Sequence, residues 1–552
     1  MIRLLPAIVV AVGAGCYAAN PLSPTVELGY STYVGTRLSN EVDEFIGIRY
    51  AQAPMGNLRF RAPQPPKQQT EIQRATSEQF GDYCIGTNET LAHGVSEDCL
   101  FVNLWRPSNA TRKSKLAVWV FIQGGGFNLN YSPNYNGSEV VEKSDNSIVL
   151  VNFNWRVGVY GFLAGRNVGE LGDLNAGLLD QLTLLQWVQD HIQKFGGDPD
   201  HVVIHGSSAG AGSVALHLLH PDNARLFAGA IMESTFIPTQ PRTSELEWQY
   251  DHFVQTVGCN KRTAELQMQC LRQKTTDELQ KGNVAIPFPG MPAQPLPVWP
   301  WTPCIDGHLI MDKPLDMYKR GEFIRVPMII GNNENEGAYF AANASTDDEV
   351  RLFMTSNYPQ LSKKKVSAIT NYYPQTKPVP QHAEWFPSAE QAYGESTFTC
   401  PALAILHAAN QLDDNQGPIY ADVDLWSYHM NIYDEAYVNM GLGCPHGYEE
   451  GLIFGPSGTK ISGRYQPPAS FSSYNAPLIS IVMSYWISFV RTLSPNVHKE
   501  SSAPIWERWS HGAGTSKLLI RLGELGMESV TEDQKERCEF WNEMDRSLLK
   551  ST

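Results

Sequence analysis

Val202-Val203-Ile204-His205-Gly206-Ser207-Ser208-Ala209-Gly210 is a β-branched run that stops abruptly in G-x-S-x-G, and the segment after it, Ala211 to His220, is helix-prone. The run reads as a buried strand and the small residues as a tight strand-to-helix turn. Glycines two residues either side of Ser208 permit that turn, which lifts the serine hydroxyl out of the sheet and aims a helix N-terminus at it. The bare spacing also occurs in ordinary turns. The strand before it and the helix after it make Ser208 a candidate nucleophile.

A serine hydroxyl is a poor nucleophile near neutral pH, so the motif calls for a histidine base, a carboxylate to orient it, and donors for an oxyanion. Gln123-Gly124-Gly125-Gly126-Phe127 follows the apolar run Leu116 to Ile122, which places a glycine loop at the end of another strand. The N–H groups of Gly125 and Gly126 can approach a carbonyl oxygen closely. The N–H of Ala209, just after the nucleophile, completes the expected oxyanion hole.

Further motifs follow in order: Phe45-Ile46-Gly47-Ile48-Arg49-Tyr50-Ala51, Glu97-Asp98-Cys99-Leu100-Phe101-Val102-Asn103, Asn154-Trp155-Arg156-Val157-Gly158 and Phe195-Gly196-Gly197-Asp198-Pro199. With the glycine loop and the elbow, they make the chain resemble the type B carboxylesterases from about Pro24 to Leu549. That branch of the α/β-hydrolases also holds cholinesterases and secreted fungal and animal lipases. The resemblance implies an α/β fold of the α/β-hydrolase type: a large, mostly parallel central sheet flanked by helices, with long insertions. It also implies an acid in a Glu-Gly pair shortly after a strand, here Glu336-Gly337 after Val326 to Gly331, and a base in His-Gly-Tyr-Glu, here His446 to Glu449. Glu334 is the competing acid; the resemblance places the acid directly before the glycine, so Glu336 is chosen. The order Ser208, Glu336, His446 is the one expected of an α/β-hydrolase.

The resemblance implies ester hydrolysis through an acyl-enzyme on Ser208, with no metal and no organic cofactor. It pairs Cys84 with Cys99, Cys259 with Cys270, and Cys400 with Cys538, the last tying a terminal helix, Glu532 to Leu549, to the body. Cys304 and Cys444 remain, bridged or as buried thiols. Arg59 with Glu97, and Arg156 with Asp180, resemble the family's buried ion pairs. Leu178, Leu182, Leu185, Val188 and Ile192 recur at helical spacing around Asp180 and give that helix one apolar face. Leu478 to Leu493 reads as a core helix.

The chain has 552 residues, 42% of them hydrophobic, and a net charge of −15, which argues against a nucleic-acid partner. No charge-run linker or internal repeat divides residues 19–552, so they read as one domain. Residues 1–18 carry Arg3, a short apolar stretch from Leu4 to Val12 and then small residues, the pattern of a secretory signal peptide and not of a membrane anchor. Sequons at Asn88, Asn109, Asn136 and Asn343 agree with an extracellular glycoprotein; Asn130 is a weaker one because Pro133 follows it.

Between Ile286 and Pro303 lie seven prolines with Phe288, Trp299 and Trp301. This stiff stretch resembles the family's acyl-pocket region; either its aromatics limit acyl length or it is a rigid surface loop with no substrate contact. A dedicated choline site is not expected, because Ile85 to Asp98, between the first paired cysteines, holds no aromatic residue for cation-π recognition. Those 14 residues are also too short and too polar for an interfacial lid, so soluble or short-acyl small-molecule esters are expected as substrates. The other readings are a lipase or a steryl or feruloyl esterase of the same family and, from another class, a non-catalytic adhesion relative, against which the intact serine, acid and histidine speak.

Overall fold

Eleven strands form one sheet. In chain order they are β1 (Thr36–Arg37), β2 (Val42–Arg49), β3 (Phe101–Pro107), β4 (Leu116–Ile122), β5 (Ile148–Phe153), β6 (Gly197–Ser207), β7 (Gly229–Glu233), β8 (Met328–Asn333), β9 (Leu425–Met430), β10 (Ser516–Ile520) and β11 (Gly526–Ser529). Their order across the sheet is β11-β10-β9-β8-β7-β6-β4-β5-β3-β2-β1. Neighbours from β5 through β10 run parallel, and the strands at both edges are antiparallel. The computed structural model describes residues 23–544 except 77–80, 93, 131–134, 411–422, 460–465 and 510–515. The expected signal peptide lies outside the described residues, and the terminal helix expected to reach Leu549 ends earlier, at Asn542, with residues 545–549 outside the described range.

The central strands are buried on both faces, which is why they read as continuous apolar runs. Alternation within β4 shows the consequence. Val118, Val120 and Ile122 enter one core layer, and Trp119 and Phe121 enter the other. The helices Ala176–His191 and Ala209–Leu218 cover the first layer, and Ala476–Thr492 covers the second through Val482, Trp486 and Phe489. The elbow helix therefore begins two residues before the run Ala211 to His220, directly after Ser208. In the helix carrying Asp180, Leu178, Leu185 and Val188 are buried as the spacing requires, while Leu182 is half-buried at its edge.

Two ion pairs sit inside this framework. Arg156 reaches Asp180 at 2.7 and 2.8 Å, and Arg59 reaches Glu97 at 2.6 Å through two nitrogens. Cys84–Cys99, Cys259–Cys270 and Cys400–Cys538 are bridged, and Cys304 and Cys444 are buried free thiols. The third bridge fastens the helix Glu532–Asn542 to the helix Cys400–Asn410. Among the described residues no helix is long and apolar enough to cross a membrane.

Candidate active site

β6 ends at Ser207 and the next helix starts at Ala209, so Ser208 alone makes the turn, at φ 57° and ψ −121°. This left-handed conformation is costly for a residue with a Cβ and is held by its surroundings. The Ser208 N–H donates to the Glu233 carbonyl at 2.8 Å, across to the end of β7. The flanking glycines answer to close approach. A Cβ on Gly206 would lie 2.2 Å from the Gly210 carbonyl carbon, and one on Gly210 would lie 1.9 Å from the Ile122 oxygen. Helix and strand can meet at this angle only without those methyl groups.

Glu336 follows β8 and is 2% exposed. One carboxylate oxygen lies 2.5 Å from His446 Nδ1. The other accepts from the Ser234 hydroxyl at 2.6 Å, the Asn333 N–H at 2.8 Å and the Asn332 amide at 3.2 Å. Four donors around one buried carboxylate fix its direction. Its bond to Nδ1 fixes the imidazole tautomer, so Nε2 is the nitrogen left to accept a proton. Burial pushes the His446 pKa down, but the Glu336 charge and hydrogen bond, with Glu449 and Glu450 beyond, carry it above the ordinary histidine value. Glu334 is not brought to His446. It is exposed and pairs with His429 at 2.6 Å, and His429 pairs with Glu528 at 2.7 Å.

Ser208 and His446 line one cavity of about 400 Å³ together with Gly124, Gly125 and Gly126. Gly125 (φ 119°) and Gly126 (φ 62°) adopt backbone that favours glycine, and a Cβ on Gly126 would collide with the Trp299 indole at 2.2 Å. Ala209, the third proposed donor, is fully buried at the first helical position. Gln123 is buried and its amide donates to Asn130, which makes Asn130 a loop brace with no surface for a glycan.

Trp299, Phe340, Leu129, Tyr339 and Tyr437 give the cavity apolar walls. Trp299 packs edge-on against Phe236 and Phe340, and Phe340 and Phe398 pack against His446 with centroids 5.2 and 4.4 Å away. Trp301 is separate from this wall. It is fully buried against Phe253, and its backbone is held by Asn128. Of the two tryptophans expected at the pocket, only Trp299 lines it.

Sequence reasoning misses Ser234, Asn333 and Glu449. Glu449, buried beside the acid, shares Ser234 and Asn333 with Glu336: Asn333 donates to it at 2.5 Å and Ser234 at 3.3 Å. Burial and the charges of Glu233 and Glu336 push its pKa up to about 8. The available signal is positional: Ser234 immediately follows β7 and Asn333 ends β8, the strand ends where open parallel sheets build their sites.

The profile of the carboxylesterase family matches residues 23–541. Secreted lipase 4 of Gibberella zeae is 29% identical over 94% of this chain and 91% of its own length. The acetylcholinesterase of Electrophorus electricus is 28% identical over 94% of this chain and 88% of its own. Among solved structures, Aspergillus niger EstA superposes with a TM-score of 0.89 at 45% identity, covering 94% of this chain and 98% of that one.

Proposed function

The chain belongs to the carboxylesterase family and is a carboxylic ester hydrolase, and from that premise we propose that it is a secreted serine esterase acting through Ser208, His446 and Glu336. The observation that carries the assignment is the pairing of Glu336 with His446 at 2.5 Å beside a cavity that Ser208 and the glycine loop also line. In this reading His446 Nε2 takes the Ser208 proton as the serine oxygen attacks the ester carbonyl carbon. The resulting imidazolium is stabilised by Glu336. Negative charge develops on the carbonyl oxygen and is met, in this reading, by the N–H groups of Gly125, Gly126 and Ala209.

Collapse of the tetrahedral intermediate breaks the bond to the alcohol oxygen, which leaves with the proton from His446. Water then attacks the acyl-serine, giving its proton to His446, and collapse returns that proton to Ser208 and frees the carboxylic acid. Soluble or short-acyl esters suit a cavity of about 400 Å³ whose inner wall is the Trp299 indole. Residues 85–98 contribute none of its described lining, in keeping with a site that has neither a lid nor a choline-binding aromatic there.

Secretion is supported by the leader-like residues 1–18, by three disulfides, which persist in oxidising compartments, and by exposed asparagines at Asn88, Asn109 and Asn343. Asn136 is half-buried and its side chain accepts from the Ser138 N–H, so it is the least suited of the four to carry a glycan. Ser208→Ala tests the nucleophile. The variant is expected to fold and to lose ester hydrolysis by about 10³- to 10⁶-fold, and a serine-directed organophosphate is expected to label only the wild type. Substantial turnover by the variant refutes the assignment.

A further inference from the structure

Glu336 also lines a second cavity, of about 390 Å³, whose described lining includes neither Ser208 nor His446. Its chemistry is the reverse of the first. Among its described lining residues only Pro387 and Val530 carry apolar side chains, and no Phe, Tyr or Trp is present. The charges within it are largely matched in place. Arg537 holds Glu395 at 2.7 and 2.8 Å, and His429 bridges Glu334 and Glu528.

Two groups on this wall keep hydrogen-bonding capacity to spare. The Lys517 ammonium has three donors and is 6% exposed. Its described partner is the Gln534 amide oxygen at 3.3 Å, and it forms no ion pair among the described residues. Glu390 is 8% exposed and accepts from the Gly337 N–H at 3.2 Å and from the Asn335 side chain. Burial pushes its pKa up to about 8, so near neutral pH it is largely a protonated acid that can both donate and accept. Buried polar groups are costly unless they find partners, so this cavity favours an occupant that fills it with hydrogen bonds.

An anion would face the carboxylates of Glu334, Glu395 and Glu528 on the same wall, a cation would face Lys517 and Arg537, and an apolar occupant would strand the donors and acceptors. We propose that this cavity is a second binding site, distinct from the ester-binding cavity, for a small uncharged polyhydroxyl compound whose hydroxyls accept from Lys517 and exchange hydrogen bonds with Glu390. Each hydroxyl both donates and accepts, as an inventory of donor-only Lys517 and acceptor-rich carboxylates and amides requires. The absence of an aromatic platform for stacking makes the site a weak one, with Kd on the order of millimolar.

Ligand-observed NMR titration of the full chain tests the proposal, with glycerol, ribose and glucose as uncharged probes and acetate and methylammonium as charged ones. At least one polyol is expected to saturate in the millimolar range, and to do so equally after Ser208 has been blocked with an organophosphonate. Lys517→Met and Glu390→Gln are each expected to weaken that binding at least tenfold, with thermal unfolding confirming that the variants fold. If Lys517→Met does not fold, the near-isosteric Glu390→Gln carries the test alone. The proposal is overturned by failure of every polyol to saturate, by loss of binding on blocking Ser208, by folded variants that bind like the wild type, or by Lys517-dependent binding of a charged probe instead. The measurement reads no turnover, so it stands or falls separately from the catalytic assignment.

Discussion

Replacing Trp299 with alanine should lengthen the acyl chain that the enzyme accepts. The indole lines the cavity of Ser208 and His446 on one side and, on the other, a small apolar pocket whose walls include Leu246, Phe288, Pro297 and Tyr358. Removing it merges the two spaces. Each methylene that moves from water into apolar surroundings contributes about 0.8 kcal/mol. The four methylenes separating hexanoate from acetate therefore offer about 3 kcal/mol when fully buried, or about 200-fold in kcat/KM, and about 15-fold when half that burial is achieved. The expected result is a rise of 15- to 200-fold, as an order of magnitude, in the hexanoate-to-acetate ratio relative to wild type. Core deletions of this kind cost about 3–5 kcal/mol, and because Trp299 is only half-buried its loss should fall near the lower end. The assay is kcat/KM for p-nitrophenyl acetate, butyrate, hexanoate and octanoate on both proteins, with thermal unfolding as a control. A folded variant with an unchanged chain-length ratio refutes the reasoning. A uniform loss at every length would mean instead that the indole serves mainly to press the glycine loop into shape.

Activity should fall on acidification with a midpoint above about 6.5, the ordinary histidine value. The sign follows from the raised pKa of His446, since the base must be neutral to accept a proton and is protonated earlier as pH falls. A kcat/KM profile that stays flat to about pH 4.5 would exclude a histidine base. Arg156→Met should destabilise the fold by about 3–5 kcal/mol, because Asp180, fully buried, would lose the partner that compensates its burial; urea denaturation measures this, and a loss under 1 kcal/mol would contradict the account. Tributyrin hydrolysis should show no rate jump as substrate passes its solubility limit, and a sharp rise there would identify some segment other than residues 85–98 as a lid.

What the sequence makes legible here is whatever is written in neighbouring residues. The turn at Ser208 and the glycine loop at 124–126 depend on spacing and on the strand before each, and both sit where those local rules put them. The sheet is similarly readable from the apolar runs of β4 and β6. By contrast, Ser234 meets Glu336 across 102 residues, and Asn333 meets Glu449 across 116. No local pattern distinguishes such a serine from any other at the end of a strand. The stretch from Ile286 to Pro303 shows the same limit at close range. Trp299 and Trp301 are two residues apart, yet one faces the ester cavity and the other the core, because an irregular proline-rich chain has no fixed period from which to read a side.

The carboxylates missed in this way bear on how the base is set. Burial alone would lower the pKa of His446 and leave it a weak proton acceptor, while Glu336, Glu449 and Glu450 raise it past the ordinary value. Under the proposed mechanism, a base raised in this way gains driving force for taking the serine proton but is protonated, and idle, over a wider acidic range. Glu449 moderates that trade-off, since its own pKa is pushed up to about 8 by burial and by Glu233 and Glu336. Near neutral pH it is therefore largely protonated and adds little negative charge beside the imidazole. Replacing Glu449 with glutamine should consequently shift the acid limb by less than replacing Glu336 with glutamine, which removes the bonded charge itself. A larger shift from Glu449→Gln would mean that Glu449 is ionised in the resting enzyme and that the pair titrates in the opposite order.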